Sequence, residues 1–355
     1  MKDSTNRLSF FVFQLNFMIK GQYMKYDILK KYWNLNATEI LSLPRSTASC
    51  FRVNAIENSY FLKIFQPSYP TDRAILEYNI CKQLNMNAIP VSEIVVTSAG
   101  QPYALYENRI IQLQKYVDGV SPKNYSMNPT LLCEASEYLG RIHASLNDQQ
   151  LPCLFDINWL KKYEESAYVA FYQETYRMAE KTNMDDESRR KIFDDLAFLT
   201  AFAKQMNALA LYFEGITYTA SHGDYIPCQL ICKHDHVLKI VDFANAHSVP
   251  VGLELMRFYF LGSVDTRDPY DFRIVPFSEY LQSYMKYFPL TTLDLMHMPY
   301  IYLYYMGRNR FVYREYLKTG DKNAFDESSR RVDVIRFLLE NASAISMCLK
   351  DLYPM

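Results

Sequence analysis

Hydrophobic positions along this chain change their period once, and that change separates two kinds of structure. From Ala37 to about Tyr116 they alternate in short runs. Glu39–Leu43, Cys50–Ile56 and Ser59–Phe65 predict three strands of a meander, with Glu57-Asn58 as a tight turn. In the third run Phe61, Lys63 and Phe65 fall on one face, which sets a lysine among apolar neighbours. A helix is expected next, with Thr71 as N-cap, running to about Leu84. Ile75, Leu76, Tyr78, Ile80 and Leu84 make its expected packing face, and Glu77 stands where it can meet Lys63. Glu93–Thr97 and Tyr103–Glu107 predict two further strands, after which Arg109–Gly119 reads as a connection leading out of the region.

Beyond that point the spacing turns helical. Asn128-Pro129 supplies an N-cap and a first-turn proline for a helix to Leu146, with Leu132, Ala135, Leu139, Ile142 and His143 on one face. Ile157 to about Lys181, Asp185 to about Leu209, Pro276–Tyr287, Thr292–Leu317 and Asp326–Leu349 follow as helices. The run Tyr300–Tyr305 suits helix–helix packing better than a binding box. At the other end, Leu8–Ile19 is apolar but interrupted by Gln14 and Asn16, short of the roughly 20 residues a bilayer-spanning helix needs. No small-x-small cleavage site follows it before Lys20, so residues 1–24 read as an extension ahead of a natural start at Met24. The expected organisation is an extension and first helix over 1–35, a small strand-rich region over 36–116 and a large helical region over 117–355.

One stretch inside the helical region follows neither period. Ile216–Ala220 delivers Ser221-His222-Gly223-Asp224 into a loop, where side chains can be exposed and still held. Gln229–Cys232 and Val237–Val241 then predict two strands around the four-residue turn Lys233–His236. An antiparallel pairing sets Cys232 opposite Val237, Gln229 opposite Ile240 and Asp242 opposite Pro227. The hairpin would thus bring two acids, Asp224 and Asp242, to the same end as the amide of Gln229. That trio suits phosphoryl transfer: one carboxylate orients an attacking hydroxyl, and a carboxylate with an amide oxygen holds Mg²⁺ against nucleotide phosphates.

Composition narrows the field. A net charge of −1 lacks the basic excess a nucleic-acid binder shows. Hydrophobic content of 49% is ample for a buried core. Seven cysteines without metal-ligand spacing fit a reduced cytoplasmic protein, mostly as core thiols, and Cys228 is set apart by its place beside Asp224 and Gln229.

The His-Gly-Asp at 222–224, Gln229 after four residues, and Asp242-Phe243 with no following Gly together resemble the aminoglycoside phosphotransferase and choline kinase family. Homoserine, methylthioribose and fructosamine kinases and spore-coat kinase-like proteins share that branch of the protein-kinase-like folds. The resemblance covers roughly residues 36–320 and implies an α+β, two-lobed fold with a small antiparallel-sheet N-lobe and a mostly helical C-lobe. It implies a Mg²⁺-dependent phosphotransferase using ATP or GTP to phosphorylate a hydroxyl of a small acceptor, with no nucleic-acid or membrane partner. By position it makes Asp224 the base or hydroxyl-orienting group, Gln229 and Asp242 the metal ligands, Lys63 the phosphate-binding cation and Glu77 its partner. Gln114, Lys115 and Tyr116 would lie along the adenine edge; His143, Glu254 and Arg257 match structural positions.

The chain departs from the family in two places. The family has Asn at the position of Gln229, and the expected phosphate loop, Pro44–Cys50, contains no Gly. Both departures fit the alternative of a non-catalytic kinase-like binding or scaffold protein. About ten residues separate Asp242 from Leu253, too few for a protein kinase's activation segment, which favours a small acceptor. Asp265, Asp268, Asp271 and Glu279 would suit a cationic acceptor, and equally a solvated acidic loop.

Overall fold

The computed structural model describes residues 25–43, 48–147, 163–310 and 312–353. The N-terminal extension, most of the Gly-free loop at Pro44–Thr47, and the expected helix start at Ile157 lie outside the described residues. The fold is α+β, a six-stranded antiparallel sheet with helices in one unit and a mostly helical second unit. The first unit runs to Gly119 and takes in Leu238–Asn245; the second holds the remainder.

In the first unit, helix α1 (25–33) precedes strands β1 (Ala37–Ser42), β2 (Ser49–Ala55) and β3 (Ser59–Ile64). Helix α2 (Thr71–Met86) follows, then β4 (Ile94–Val95), β5 (Ala104–Tyr106) and β6 (Arg109–Lys115). The sheet order is β1-β2-β3-β6-β4, with β5 also on β6. The segment from Arg109 is therefore a strand at the heart of the sheet, and only the residues after Lys115 lead away. Its Ile110, Ile111 and Leu113 are buried along with Gln112 and Gln114, so two polar residues disguised a central strand as a connection.

Alternation in β3 sends Leu62 and Ile64 to one face, where they join Ile28, Leu29, Val53, Ile111 and Leu113 in the core beneath α1. The Trp33 indole N–H donates to Val95 O at 2.9 Å and pins that helix to the sheet. Lys63 takes the opposite face, flanked across the ladder by Cys50 and Gln112.

Helix α2 corrects two expectations. Pro70 is its N-cap and Thr71 its first helical residue, with no side-chain cap. Its buried stripe is Ala74, Glu77, Ile80, Cys81 and Leu84, while Ile75 is exposed. The face is centred on a small residue, an acid and a thiol rather than on the bulkiest apolar side chains, so counting hydrophobic residues rotated it wrongly.

The second unit opens with α3 (Pro129–Leu146), whose N-cap Asn128 accepts the Leu131 N–H at 2.9 Å. Helices α4 (Glu165–Lys181) and α5 (Asp186–Ala203) form an adjacent pair, and a separate short turn, Met206–Leu209, ends the stretch expected to be one helix. Later come α6 (Val251–Gly262), α7 (Ile274–Met285), α8 (Thr292–Arg308) and α9 (Lys322–Leu352). The helix expected over Thr292–Leu317 breaks after Arg308, where Asn309 is extended at ψ 113°, and a new short helix begins at Arg314 behind Tyr313 at φ +60°. Among the described residues no single helix is long and apolar enough to cross a membrane.

Helix α3 packs against α7 so closely that a Cβ on Gly140 would lie 2.5 Å from the Tyr284 carbonyl oxygen. Backbone cannot yield as a side-chain tip can. Gly140→Ala should therefore destabilise the protein by about 1–3 kcal/mol, read as a lower urea midpoint at unchanged m-value.

Strand β7 (Tyr218–Ser221) pairs antiparallel with β10 (His247–Pro250), and β8 (Leu230–Lys233) with β9 (His236–Ile240) in a hairpin. That hairpin turns on two residues rather than four: His234 and Asp235 both take positive φ, 48° and 61°, as tight hairpin turns require. Gln229 is not a strand residue. It ends a 3₁₀ turn, Pro227–Gln229, that starts at a proline with no N–H to give a ladder.

Candidate active site

In the first unit the site is built around Lys63. The residue is 5% exposed, and its ammonium donates to Asp242 Oδ1 at 2.6 Å and lies 4.7 Å from the centre of the Phe65 ring. Burial pushes the Lys63 pKa down, but the charges of Glu77 and Asp242 raise it by more, so the lysine stays an ammonium ion. Asp242 is held by its neighbours in sequence. Ile240 exchanges backbone hydrogen bonds with Pro90 and Ser92, and Phe243 is buried in a 3₁₀ turn that packs on α2. Between them Asp242 sits at φ +66°, a left-handed conformation costly for most non-glycine residues and enriched for Asp and Asn.

Glu77 is fully buried beside this pair, and the lysine is turned to Asp242 rather than to it. Burial pushes the Glu77 pKa up to about 7, against the pull of Lys63. The Tyr69 hydroxyl, stacked by its ring on Phe65 at 4.0 Å, is buried without a partner, and burial followed by the charges of Glu77 and Asp242 raises its pKa. Tyr69 carried no motif and sequence reasoning missed it.

The sign of the Glu77 shift has a measurable consequence. The native state keeps this proton up to about pH 7, whereas the unfolded chain releases it near 4.5. Over that window the native state binds more protons, so its stability falls as pH rises. Glu77→Gln should remove that component of the fall, measured as urea unfolding free energies at pH 5 and pH 8 for both proteins.

Gln114 and Tyr116 stand at the outgoing end of β6. The Gln114 amide donates to Gln112 Oε1 at 3.1 Å. The N–H groups of Lys115 and Tyr116 are taken by Glu93 O and Ser59 O. The Arg52 guanidinium covers the Tyr116 ring at 4.4 Å and pairs with Asp118.

In the second unit the loop after β7 is gripped by α6. Glu254, buried, accepts from Ser221 Oγ and, through its other oxygen, from the Tyr225 N–H at 3.3 Å. His143 Nε2 lies 2.7 Å from Ser221 Oγ and 3.3 Å from Glu254, with Nδ1 2.7 Å from the Tyr284 hydroxyl. Burial would raise the Glu254 pKa, but the His143 and Ser221 hydrogen bonds outweigh it and hold the carboxyl at about 2. His143 is thus a core brace. Gly223, at φ +77°, makes the reversal that a side chain would resist.

That reversal presents Asp224, half-buried, with Gln229 Nε2 3.5 Å from its Oδ2 and the Arg257 guanidinium on its Oδ1. Because the Gln229 amide turns its nitrogen to Asp224, its oxygen is left for another partner. Arg257 was assigned a structural place from sequence. The available signal was its spacing: three residues after Glu254, it shares the face that grips the loop.

Two of the four acidic residues near α7 are engaged locally. Asp265 pairs with Arg273 at 3.0 Å, and Asp268 accepts from the Tyr270 N–H. No group of three or more His, Cys, Asp or Glu side chains poised for a metal occurs among the described residues. Of the cysteines, Cys50, Cys81 and Cys232 are buried, and Cys228 is exposed.

The model of the phosphotransferase enzyme family matches residues 44–281. No curated protein matches the chain by sequence. Among solved structures, an aminoglycoside phosphotransferase from Alicyclobacillus acidocaldarius shares 14% identity over 90% of this chain and 93% of its own, with a TM-score of 0.63. A spectinomycin phosphotransferase in complex with ADP and spectinomycin is 13% identical over 92% and 98%, at a TM-score of 0.60. An amicoumacin kinase in complex with AMP-PNP and Ca²⁺ is 14% identical over 92% and 95%, at 0.59.

Proposed function

The chain belongs to the phosphotransferase enzyme family and is a small-molecule kinase, and from that premise we propose that it moves the γ-phosphoryl group of ATP or GTP to an alcohol on a small acceptor, with Mg²⁺. The observation that carries this reading is the 2.6 Å contact of Lys63 with Asp242, which joins a buried cation suited to phosphate to an acid suited to metal. The neighbours solved with ADP, and with AMP-PNP and Ca²⁺, support a nucleotide and a divalent ion as the ligands.

Lys63 holds the α- and β-phosphates. Glu77, fully buried and close enough for its charge to act on Lys63, would be the second acid available to hold that lysine. The end of β6 at Gln114 and Tyr116 lies along the base. Each expected ligand has a donor suited to Mg²⁺: Asp242 a carboxylate oxygen beyond its bond to Lys63, and Gln229 an amide oxygen. Two hard oxygen donors suit an ion that keeps several waters and phosphate oxygens. When bound, it neutralises charge developing on the transferred group. Asp224 accepts the hydrogen bond of the acceptor hydroxyl and aims its oxygen at phosphorus.

The acceptor is a small hydroxylated molecule. The ion pair of Asp265 with Arg273 weakens the reason to prefer a strongly cationic one. The test is ADP release, with ATP or GTP and Mg²⁺, across amino sugars, amino alcohols, choline and hydroxy amino acids. Acceptor-dependent release supports the reading. Nucleotide binding without release to any of them would favour a non-catalytic module, the reading that Gln229 in place of Asn favours.

A further inference from the structure

We propose that Arg257 is a positioning residue for phosphoryl transfer: by taking one oxygen of Asp224, its guanidinium fixes the carboxylate so that the other faces the acceptor hydroxyl. The inference rests on the role given above to Asp224. Arg257 is largely buried, with a side chain 14% exposed, and Asp224 is its ion-pair partner among the described residues. Burial lowers the Arg257 pKa, but Tyr305, Asp224 and Glu254 raise it by more, so the guanidinium remains charged. The Tyr305 ring lies 5.8 Å from Arg257 Cζ and backs it.

The arrangement is more than an ion pair. Glu254 and Arg257 lie three residues apart on α6, which is one turn of helix. Glu254 binds Ser221 and Tyr225, the residues on either side of the His222–Asp224 reversal, while Arg257 binds the acid at its tip. One rigid helix therefore sets both the path of the loop and the orientation of its carboxylate. Without Arg257 the Asp224 side chain would rotate about its Cα–Cβ bond, with Gln229 at 3.5 Å as the remaining contact. Misplacing a reacting group by about 1 Å can cost a hundredfold in rate.

The experiment compares Arg257→Gln, Arg257→Lys, Asp224→Asn and the double variant Asp224→Asn with Arg257→Gln. Folding is followed by urea unfolding and turnover by ADP release, with water as acceptor where no alcohol has been identified. Arg257→Gln should lower kcat by about 10- to 100-fold and leave the KM for nucleotide nearly unchanged. Arg257→Lys keeps the charge without the planar fork and should recover part of the loss, and it serves if Arg257→Gln fails to fold. A residue acting through Asp224 adds nothing once Asp224 is gone, so the double variant should be no slower than Asp224→Asn. A double variant slowed by the product of the two single losses would overturn the inference. So would a slow Asp224→Asn beside Arg257 variants of full activity, and that result would leave the role of Asp224 standing. Full activity in Asp224→Asn would overturn both together.

Discussion

Asp224→Asn is expected to fold like the parent and to lose about three orders of magnitude in kcat, with the KM for nucleotide little changed. Asn has nearly the shape of Asp and keeps an oxygen to accept from Arg257, so the loop after β7 retains its path. Three features that hold that path are untouched: the Glu254 bonds to Ser221 and Tyr225, the buried His143, and the reversal at Gly223. What changes is the charge facing the acceptor. A neutral amide cannot draw the proton of the hydroxyl as the bond to phosphorus forms, and it can present N–H where an acceptor is needed. The loss should therefore fall on kcat. Steady-state ADP release with urea unfolding as a control separates the outcomes, and unchanged turnover by folded protein would remove Asp224 from the mechanism.

The parts of this protein that sequence revealed are those where chemistry and local pattern coincide. His-Gly-Asp at 222–224 stands out only together with Asp-Phe at 242–243, because the hairpin between them carries the second acid back toward the first. Strand alternation made the apolar surroundings of Lys63 legible, but only the 221–242 stretch made it a candidate for a phosphate-binding role. Other features depended on tertiary context. In β6, Gln112 and Gln114 are buried polar residues, so a central strand looked like a connection. On α2 the buried stripe is centred on Glu77, whose burial is intelligible only beside a lysine from another element. Spacing put Arg257 on the same helix face as Glu254, but nothing in the sequence named Asp224, 33 positions away, as the acid it holds. The hairpin turn was overestimated by two residues since a polar run does not show which members accept positive φ; His234 and Asp235 do.

The second large effect concerns the nucleotide. At about a hundred times its Kd, a ligand that binds only the native state adds roughly 2.7 kcal/mol to its stability, an upward shift plain in thermal unfolding. We expect that shift with ATP or GTP in the presence of Mg²⁺, and a smaller one with nucleotide and EDTA. Asp242→Asn is the informative variant, for two reasons grounded in the backbone and in Lys63. Asp242 sits at φ +66°, where Asn is also readily accommodated and Ala would add strain. The Asn side-chain oxygen can still accept from the Lys63 ammonium, so the buried lysine is not left bare, as it would be by truncation. The charge removed is the one that would bind the cation. Asp242→Asn should therefore unfold close to the parent without ligand and lose the Mg²⁺-dependent part of the shift, while the residual shift with nucleotide and EDTA survives through Lys63. Lys63→Met should show the converse, losing the metal-independent part. Equal shifts with and without Mg²⁺ in both the parent and Asp242→Asn would rule out Asp242 as a metal ligand, and would leave its contact with Lys63 as a structural ion pair.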